Sequence, residues 1–222
     1  MAAGEGLRAG DELPKQFHRL LGIPMLWWSV KAFYDEDPET RISIVMHPGY
    51  FAEYDICVSE LPDEFRRIPV RLVAGGRNRS HSVANGILRL PDTENALIAV
   101  HDAARPMVSK KTIRDAWQQA ASTGTAVPVV PVTDSLRESD GNRSFAVDRS
   151  RFVAVQTPQV FRADILKMAF REDDSPNFTD EASRVEKSGH RIALTEGSPE
   201  NMKVTNPLDF KIAEILLQNK MG

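Results

Sequence analysis

Short apolar runs alternate with amphipathic stretches along most of the chain. Four runs rich in aliphatic and β-branched residues predict strands buried on both faces, namely residues 41–47, 69–76, 96–102 and 125–133. Because amphipathic stretches separate such strands, the pattern predicts an α/β fold. We expect a mostly parallel sheet that helices cover on both faces.

Three amphipathic stretches have the start signals of helices. Pro24, Ser109 and the pair Asn206–Pro207 mark these starts, and they are residue types that favour the first positions of a helix. Residues three and four positions apart share one helix face. The expected inner faces are Leu26, Val30 and Phe33 in the first helix, Ile113, Trp117 and Ala120 in the second, and Leu208, Ile212, Ile215 and Leu216 in the last.

One polar segment, at about 135–151, interrupts this alternation. Its residues Ser139 to Asn142 form a turn signal between two extended pieces. The segment is either a hairpin that projects from the body or an ordinary surface loop. We favour the hairpin.

Length and charge narrow the classes of protein. The chain has 222 residues, which suits a single domain over residues 1–222. Lys and Arg total 28 and Asp and Glu total 31, so the formal net charge is −3. A chain this close to neutral is not built for non-specific nucleic-acid binding. An anionic ligand would need basic residues concentrated at one place.

The number of cysteines and the hydropathy of the chain indicate in which cellular compartment the protein is expected. The single cysteine, Cys57, excludes an internal disulfide and any zinc site with two or more thiolates. No apolar run approaches the ~18 residues that a membrane span needs. The first ten residues have no apolar core typical of a signal peptide. We therefore expect a soluble, cytoplasmic protein without a membrane or nucleic-acid partner.

A glycine-rich stretch, residues 2–10, begins the chain and has the features of a phosphate-binding loop. Glycines allow backbone N–H groups to approach a phosphate closely, and Arg8 and Lys15 add positive charge. The same stretch matches a dinucleotide fingerprint, which requires a strand before it and a helix directly after it. Pro14 interrupts such a helix, so we disfavour a dinucleotide site. An ordinary glycine-rich loop would need neither cation.

Three further polar clusters follow predicted strands or precede the last helix: residues 75–82, 100–106 and 201–205. Ligands of open α/β sheets bind at the carboxyl ends of strands. The first cluster could bind a base, ribose or phosphate at a helix N-terminus, although Ser80 or Ser82 could be an ordinary helix cap.

The other two clusters supply a carboxylate and a second cation. Asp102 could bind Mg²⁺ together with substrate oxygens, or it could only pair with Arg105 and shape the turn. His101 is better interpreted as a packed or hydrogen-bonded histidine than as a ligand. Lys203 could bind a phosphate, although in isolation it would be a surface lysine.

Several catalytic patterns are absent from the sequence. It contains no Ser/His/Asp set at a known spacing, no H-E-x-x-H and no G-x-x-x-x-G-K-[ST] loop. Cations, glycines and one carboxylate remain. This set suits nucleotidyl transfer, which depends on positioning and charge neutralisation more than on covalent chemistry.

Six pieces of the sequence resemble the 2-C-methyl-D-erythritol 4-phosphate cytidylyltransferase family. They occur in the family's order and span nearly the whole chain: AAGEGLRAG followed by PKQF, GGRNRSHSVANG, VHDAARP, VDRSRFVAVQTPQVF, FTDEASRVEKSG and NMKVTNPLDF. The resemblance implies a Rossmann-like nucleotidyltransferase fold with a projecting β-arm at about 135–151, exchanged within a homodimer. It also implies transfer of CMP from CTP to 2-C-methyl-D-erythritol 4-phosphate, with release of pyrophosphate and use of Mg²⁺ or another divalent cation.

The resemblance assigns roles to individual residues. Three would be catalytic cations that stabilise the transferring phosphate: Arg8, Lys15 and Lys203. Eight would bind the nucleotide: Ala2, Ala3, Gly4, Gly6, Gly76, Ser82, Asp102 and Ala103, with Asp102 also the metal ligand. Six would surround the methylerythritol phosphate: Arg105, Asp134, Ser135, Arg149, Thr157 and Thr179, with Arg149 reaching across from the other subunit.

The sequence departs from the family pattern at three places. Ala9 replaces a common methionine, and Ser135 replaces a frequent threonine and keeps its hydroxyl. The hydrophobic strand that precedes the glycine-rich loop in the family is not in this sequence. Such strands are normally central in the sheet. We therefore expect about five to ten apolar residues ahead of Ala2 in the natural protein, or another segment or chain in that place.

Two other functions remain open. One is a ribitol-5-phosphate cytidylyltransferase, which would use the same site on another polyol phosphate. The other is a non-catalytic dimeric nucleotide-binding protein. The presence of Arg8, Lys15, Asp102 and Lys203 together disfavours a non-catalytic protein.

Overall fold

The computed structural model describes residues 1–3, 13–91, 93, 95–172 and 178–221. Within these residues eight α-helices occur: α1 (Met25–Glu36), α2 (Phe51–Ser59), α3 (Asp63–Arg66), α4 (Arg79–Ile87), α5 (Lys110–Thr123), α6 (Ala163–Glu172), α7 (Glu181–Lys187) and α8 (Pro207–Met221). Short 3-10 helices occur at Lys15–Phe17, Pro48–Tyr50 and Arg149–Arg151.

The strands of the described residues form one five-stranded sheet and three two-stranded ones. Their bounds are β1 (Arg19–Leu20), β2 (Ile23–Pro24), β3 (Ile42–Met46), β4 (Val70–Ala74), β5 (Leu97–Val100), β6 (Thr125–Pro131), β7 (Leu136–Ser139), β8 (Ser144–Val147), β9 (Val153–Val155), β10 (Gln159–Arg162) and β11 (Leu194–Glu196). The four predicted strands are present as β3, β4, β5 and β6.

The five-stranded sheet has the order β11-β6-β10-β5, and β9 pairs with β6. β11 runs parallel to β6, whereas β10 runs antiparallel to both β5 and β6. β3 and β4 form a separate parallel pair. The α/β class is confirmed, but the antiparallel strand β10 is a feature that the hydrophobic pattern did not predict.

Helices cover both faces of this sheet. Val160 and Phe161 are consecutive residues of β10, so their side chains point to opposite faces. Val160 packs with Ala116 and Ala120 of α5. Phe161 packs in a different cluster that includes Leu166 of α6. All five side chains are fully buried, which confirms the expected covering of both faces.

The predicted helix starts at Pro24 and Ser109 agree with the structure. Ser109 caps α5, and its side chain accepts a hydrogen bond from the backbone N–H of Thr112 at 3.0 Å. Pro24 precedes α1, which buries the predicted residues Leu26, Val30 and Phe33.

The predicted inner face of α8 is wrong for three of its four residues. Leu208, Ile212 and Ile215 are 63%, 37% and 57% exposed. The helix instead buries Ala213 and Leu217 against the cluster around Leu20, Met25, Met107 and Val204, with Phe210 and Leu216 half-buried beside them. Apolar residues lie on more than one face of α8, so the sequence pattern alone does not fix its rotation.

Asp209 caps the first turn of α8 with hydrogen bonds. The carboxylate of Asp209 accepts backbone N–H groups of Thr205 and Asn206 at 2.6 and 2.8 Å. Asp209 itself is buried, so its carboxylate is satisfied by these backbone groups.

The segment at 135–151 forms the hairpin that we favoured over a loop. β7 and β8 pair antiparallel from Leu136–Val147 to Ser139–Ser144. Gly141 in the connecting turn has a φ of 92°, a left-handed conformation that suits glycine. Within the described residues no helix is long and apolar enough to cross a membrane.

A cavity of about 740 Å³ lies between β3 and β5. Ile44 of β3, Ile98 of β5 and Val83 of α4 are among the residues that line it. The chain enters the gap at its start, because the Ala2 N–H donates to the Val45 carbonyl at 2.9 Å. Among the described residues, β3 and β5 belong to different sheets. The expected apolar residues ahead of Ala2 stay a prediction.

An added apolar strand should therefore stabilise the fold. We expect five Val and Ile residues joined ahead of Met1 to raise the melting temperature (Tm) by on the order of 10 °C. Each buried apolar side chain contributes about 1.5–3 kcal/mol, but ordering each added residue costs about 1–2 kcal/mol, so the net gain is a few kcal/mol, and 1 kcal/mol shifts Tm by about 2–4 °C at this size. Thermal unfolding followed by circular dichroism measures the change. A Gly–Ser extension of equal length is the control, and an equal Tm for both extensions would contradict the prediction.

Candidate active site

The predicted polar clusters lie at turns that follow β4 and β5 and in the segment ahead of α8. The first turn connects β4 to α4, and its Gly75 N–H donates to the Met46 carbonyl of β3 at 2.7 Å. Gly76 has to be glycine, because a Cβ there would lie 2.5 Å from the Cβ of His81. A Cβ on Gly75 would lie 3.1 Å from the Cβ of Ala3, so the start of the chain packs against this turn.

Ser82 holds the Gly76 turn from inside. Its hydroxyl accepts the Gly76 N–H at 3.0 Å and donates to the Asn78 carbonyl at 2.8 Å. The helix cap is Asn78, whose side chain accepts the His81 N–H at 2.8 Å. Neither Ser80 nor Ser82 is therefore the cap, which corrects that alternative. Ser82 is buried and fixes the backbone of the Gly76 turn.

A carboxylate between two cations forms the centre of the site. The Asp102 Oδ2 lies 3.0 Å from the Lys203 Nζ and 3.6 Å from the Arg105 Nε. Burial alone would raise the pKa of Asp102, but the charge and hydrogen bond of Lys203 lower that pKa to about 2. The carboxylate is thus ionised at neutral pH. The Asp102–Arg105 pair that we considered as an alternative is present, and Lys203 joins it.

Asp102 fits a magnesium ion that also binds phosphate oxygens. Its Oδ1 accepts no hydrogen bond from any residue that the structure describes. Within those residues there is also no group of three or more His, Cys, Asp or Glu side chains that could hold a metal by itself. Mg²⁺ commonly binds through one or two carboxylates plus substrate phosphates. The donor set therefore fits a nucleotide-bound Mg²⁺ better than an ion held by protein alone.

Lys15, near the start of the chain, lies beside the segment that carries Lys203. Its Nζ donates to the Val204 carbonyl at 3.2 Å, next to Lys203. The neighbouring Gln16 donates to the Ala2 carbonyl at 2.9 Å. The 3-10 helix Lys15–Phe17 thus connects the chain start with the segment that carries Lys203.

Arg105 and Ala103 attach the turn after β5 to other segments. Arg105 donates from Nη1 to the Asn201 carbonyl at 2.8 Å. The Val204 N–H donates to the Ala104 carbonyl, also at 2.8 Å. The Ala103 N–H donates to the Met1 carbonyl at 3.0 Å. The turn that presents Asp102 is therefore supported from both ends of the chain.

His101 is a hydrogen-bonded, packed residue, as the sequence suggested. Its Nδ1 lies 3.0 Å from the Thr157 hydroxyl, and its Nε2 lies 3.1 Å from the Arg105 carbonyl. The Phe33 ring packs edge-on against it. Burial and the nearby N-terminal charge lower the pKa of His101 to about 3, so the ring is neutral at physiological pH.

A half-buried ion pair connects the start of α4, after the Gly76 turn, to the segment of Thr179. Arg79, the first residue of α4, donates two hydrogen bonds to Glu181, the first residue of α7, at 2.7 and 2.9 Å. Asp180, which follows Thr179, accepts a hydrogen bond from Gln159 at 2.8 Å. We did not predict these contacts, although Arg79 and Glu181 both lie in family-like motifs.

Four other predicted residues lie apart from the cluster of Asp102, Arg105 and Lys203. Asp134, Ser135, Arg149 and Thr179 are exposed, and no hydrogen bond or ion pair among the described residues joins them to Asp102, Arg105 or Lys203. Arg149 donates to the Thr133 carbonyl. Gly4, Gly6 and Arg8 lie outside the described residues.

Comparison with known proteins identifies the family. The sequence model of the 2-C-methyl-D-erythritol 4-phosphate cytidylyltransferase (IspD) family matches residues 1–219. The chain belongs to this family. The cytidylyltransferase resemblance seen in the six motifs is thus confirmed.

Individual relatives agree with this membership. A 2-C-methyl-D-erythritol 4-phosphate cytidylyltransferase of Porphyromonas gingivalis is 41% identical over 225 residues, covering 98% of this chain and 95% of the relative. Its counterpart in Azobacteroides pseudotrichonymphae is 39% identical over 220 residues, covering 98% and 96%. The crystal structure of the Thermus thermophilus cytidylyltransferase has a TM-score of 0.77 and 32% identity, covering 98% of this chain and 96% of that one.

The Arg79–Glu181 pair should contribute measurably to stability. Glu181 is 1% exposed and Arg79 is 40% exposed at the side chain. We expect Glu181→Gln to cost about 1–3 kcal/mol, less than the loss of one partner in a fully buried pair, because water still reaches the Arg79 guanidinium. In a chain of this size that lowers Tm by roughly 3–10 °C.

The control is Glu186→Gln, an exposed carboxylate on the same helix. Surface changes of this kind cost within about 0.5 kcal/mol. Differential scanning calorimetry of both variants tests the prediction. Equal melting temperatures for the two variants would show that the pair contributes little.

Proposed function

We propose that this chain transfers the cytidylyl group of CTP to 2-C-methyl-D-erythritol 4-phosphate. In this reaction a phosphate oxygen of the polyol substrate attacks the α-phosphorus of CTP. The bond from the α-phosphorus to the bridging oxygen breaks, and pyrophosphate leaves. The products are 4-diphosphocytidyl-2-C-methyl-D-erythritol and pyrophosphate. Family membership and the Asp102–Lys203–Arg105 cluster with Lys15 beside it support this proposal.

The cations supply what this chemistry needs. The transferring phosphate gains negative charge in the transition state, and positioned cations stabilise that charge. Lys15 donates to the carbonyl of Val204, the residue after Lys203, so both ammonium groups would reach one triphosphate. Arg8, from the glycine-rich stretch, would be the third cation. A Mg²⁺ ion on Asp102 would neutralise further charge on the phosphates when it is bound.

The residues of the two strand-end turns would bind the nucleotide and the polyol. Ala3, Gly76 and Ser82 would shape the cytosine pocket, since Ser82 fixes the Gly76 backbone against which Ala3 packs. Ala2, Ala103, Gly4 and Gly6 would approach the phosphates and ribose through their backbone. Arg105, Asp134, Ser135, Arg149, Thr157 and Thr179 would surround the polyol phosphate.

An assay with two polyol phosphates tests the substrate. We expect pyrophosphate release from CTP with 2-C-methyl-D-erythritol 4-phosphate and little release with ribitol 5-phosphate. The reverse preference would assign the ribitol enzyme. No release with either, together with measurable CTP binding, would identify a non-catalytic nucleotide-binding protein.

Loss of Lys203, the lysine that pairs with Asp102, should reduce turnover. We expect Lys203→Ala to lower kcat by about 100-fold or more, because removing one contact to transition-state charge typically costs this much. The control is Lys211→Ala, an exposed lysine on α8. Initial rates of pyrophosphate release measure both variants. Near-normal turnover of Lys203→Ala would contradict the assigned mechanism.

We also propose that the hairpin is an arm through which two copies form a homodimer. The hairpin and the residues after it expose Phe145, Phe152, Val153 and Val155, with Phe145 62% exposed. An apolar surface of this kind suits burial against a second chain. Arg149 lies apart from the Asp102 cluster of its own chain, so it suits the site of the partner.

The single cysteine, Cys57, agrees with a cytoplasmic location, which stays a prediction.

Mixed dimers test the shared site. Arg149→Ala and Arg8→Ala proteins should each be impaired. If the arm crosses over, mixing them should restore up to about a quarter of the active sites, because half of the dimers formed are heterodimers with one intact site of two. Native mass spectrometry of differently tagged chains confirms subunit exchange. Confirmed exchange without any recovery would contradict a shared site.

A further inference from the structure

His101 lies behind the catalytic cluster and contacts two of its segments. The ring is buried at the end of β5, next to Asp102. Nδ1 is 3.0 Å from the Thr157 hydroxyl oxygen, and Nε2 is 3.1 Å from the carbonyl oxygen of Arg105. The Thr157 hydroxyl also accepts the backbone N–H of Asp102 at 3.1 Å. The four groups form one continuous chain of hydrogen bonds.

These contacts determine which ring nitrogen carries the proton. A carbonyl oxygen can only accept, so the Nε2 that faces Arg105 has to be the donor. With a proton on Nδ1 as well, the buried Thr157 hydroxyl would accept from both the ring and the Asp102 N–H, and its own proton would have no acceptor among the described residues, which is unfavourable. Nδ1 is therefore an acceptor, and the Thr157 hydroxyl donates its single proton to it.

The hydroxyl of Thr157 then has no proton left for a substrate. A hydroxyl has one proton and two lone pairs. The proton goes to His101 and one lone pair accepts from Asp102. Thr157 would act on the reaction by fixing the Asp102 backbone, and its hydroxyl would have no proton for the polyol phosphate beside which the motif resemblance places it.

We propose that His101 is a positioning residue whose neutral ring, protonated on Nε2, connects the Thr157 hydroxyl to the Arg105 carbonyl and so holds the Asp102–Arg105 turn in its catalytic orientation. The turn also has an internal hydrogen bond from the Arg105 N–H to the Asp102 carbonyl at 3.0 Å. Asp102 and Arg105 both lie in this turn, and Asp102 pairs with Lys203. A shift of the turn would therefore move both side chains relative to Lys203. The kinetic part of this proposal rests on the proposed cytidylyl transfer.

Nitrogen NMR of the histidines tests the tautomer without any activity. In protein labelled with ¹⁵N-histidine at pH 7, we expect the Nδ1 of His101 to resonate as an unprotonated ring nitrogen and Nε2 as a protonated one. The His101→Gln spectrum assigns the signals. In Thr157→Val the Nδ1 signal should move further from the protonated range, because its hydrogen-bond donor is gone. A ring protonated on Nδ1, or on both nitrogens, would overturn the proposal.

Substitutions of His101 test the positioning role. His101→Phe keeps a ring against Phe33 and removes both hydrogen bonds, so we expect kcat/KM to fall by about 10- to 100-fold, as for other orienting partners. His101→Asn retains a polar group near Nδ1 and His101→Gln one near Nε2, and each should recover part of the loss. The control is His190→Gln, which lies outside the site.

Additivity distinguishes positioning from direct contact by Thr157. If Thr157 acts through His101 and the turn, Thr157→Val should reduce kcat/KM of the native protein but change the His101→Phe variant by less than about threefold. An equal loss in both backgrounds would show that Thr157 contacts the substrate independently, and would overturn the proposal. Thr157→Ser, which retains the hydroxyl, should recover most of the kcat/KM that Thr157→Val loses.

Failure of the proposed function gives a different result. In that case the native protein releases no pyrophosphate from CTP with either polyol phosphate, and the NMR spectra alone decide the tautomer and the Thr157 bond. Melting temperatures of all variants are measured in parallel. A variant that lowers kcat/KM only in proportion to a lost folded fraction would count against positioning.

Discussion

The site depends on one half-buried carboxylate that two cations neutralise. Asp102 lies between Lys203 and Arg105, and without them its burial would be unfavourable. The three residues come from two segments about a hundred positions apart. Their attraction therefore fixes the turn after β5 against the segment ahead of α8, and it brings Lys15 near through Val204.

A second layer of polar contacts keeps these turns in place. His101 and Thr157 support the turn from behind, and Asn201, which is fully buried, donates to the Thr157 carbonyl at 2.8 Å. The Arg79–Glu181 pair holds the start of α4, which follows the Gly76 turn, against the start of α7. A network of buried hydrogen bonds favours one arrangement of the groups that form it. Such rigidity suits a reaction that relies on positioned charge rather than on a covalent intermediate.

Much of the fold was predictable, because hydrophobic spacing reports local burial. The four strands and the cap at Ser109 follow from residue type and period alone. The failures have a common cause. The rotation of α8 depends on which neighbour it packs against, and apolar residues on more than one face satisfy the periodicity equally. The antiparallel direction of β10 depends on the path of the chain, which hydrophobic spacing does not encode.

The sequence by itself determined the chemistry of the site. Its motifs contain the cations, the carboxylate and the glycines, and the side chains of those residues do not change on folding. Only the tertiary structure decided how they are used. It placed Lys203 on Asp102, turned Ser82 and Thr157 towards backbone groups, and left Arg149 apart from the cluster. The physical reason is that a hydrogen bond or ion pair depends on distances of a few ångströms. Positions a hundred residues apart acquire such distances only when the strands and turns pack together.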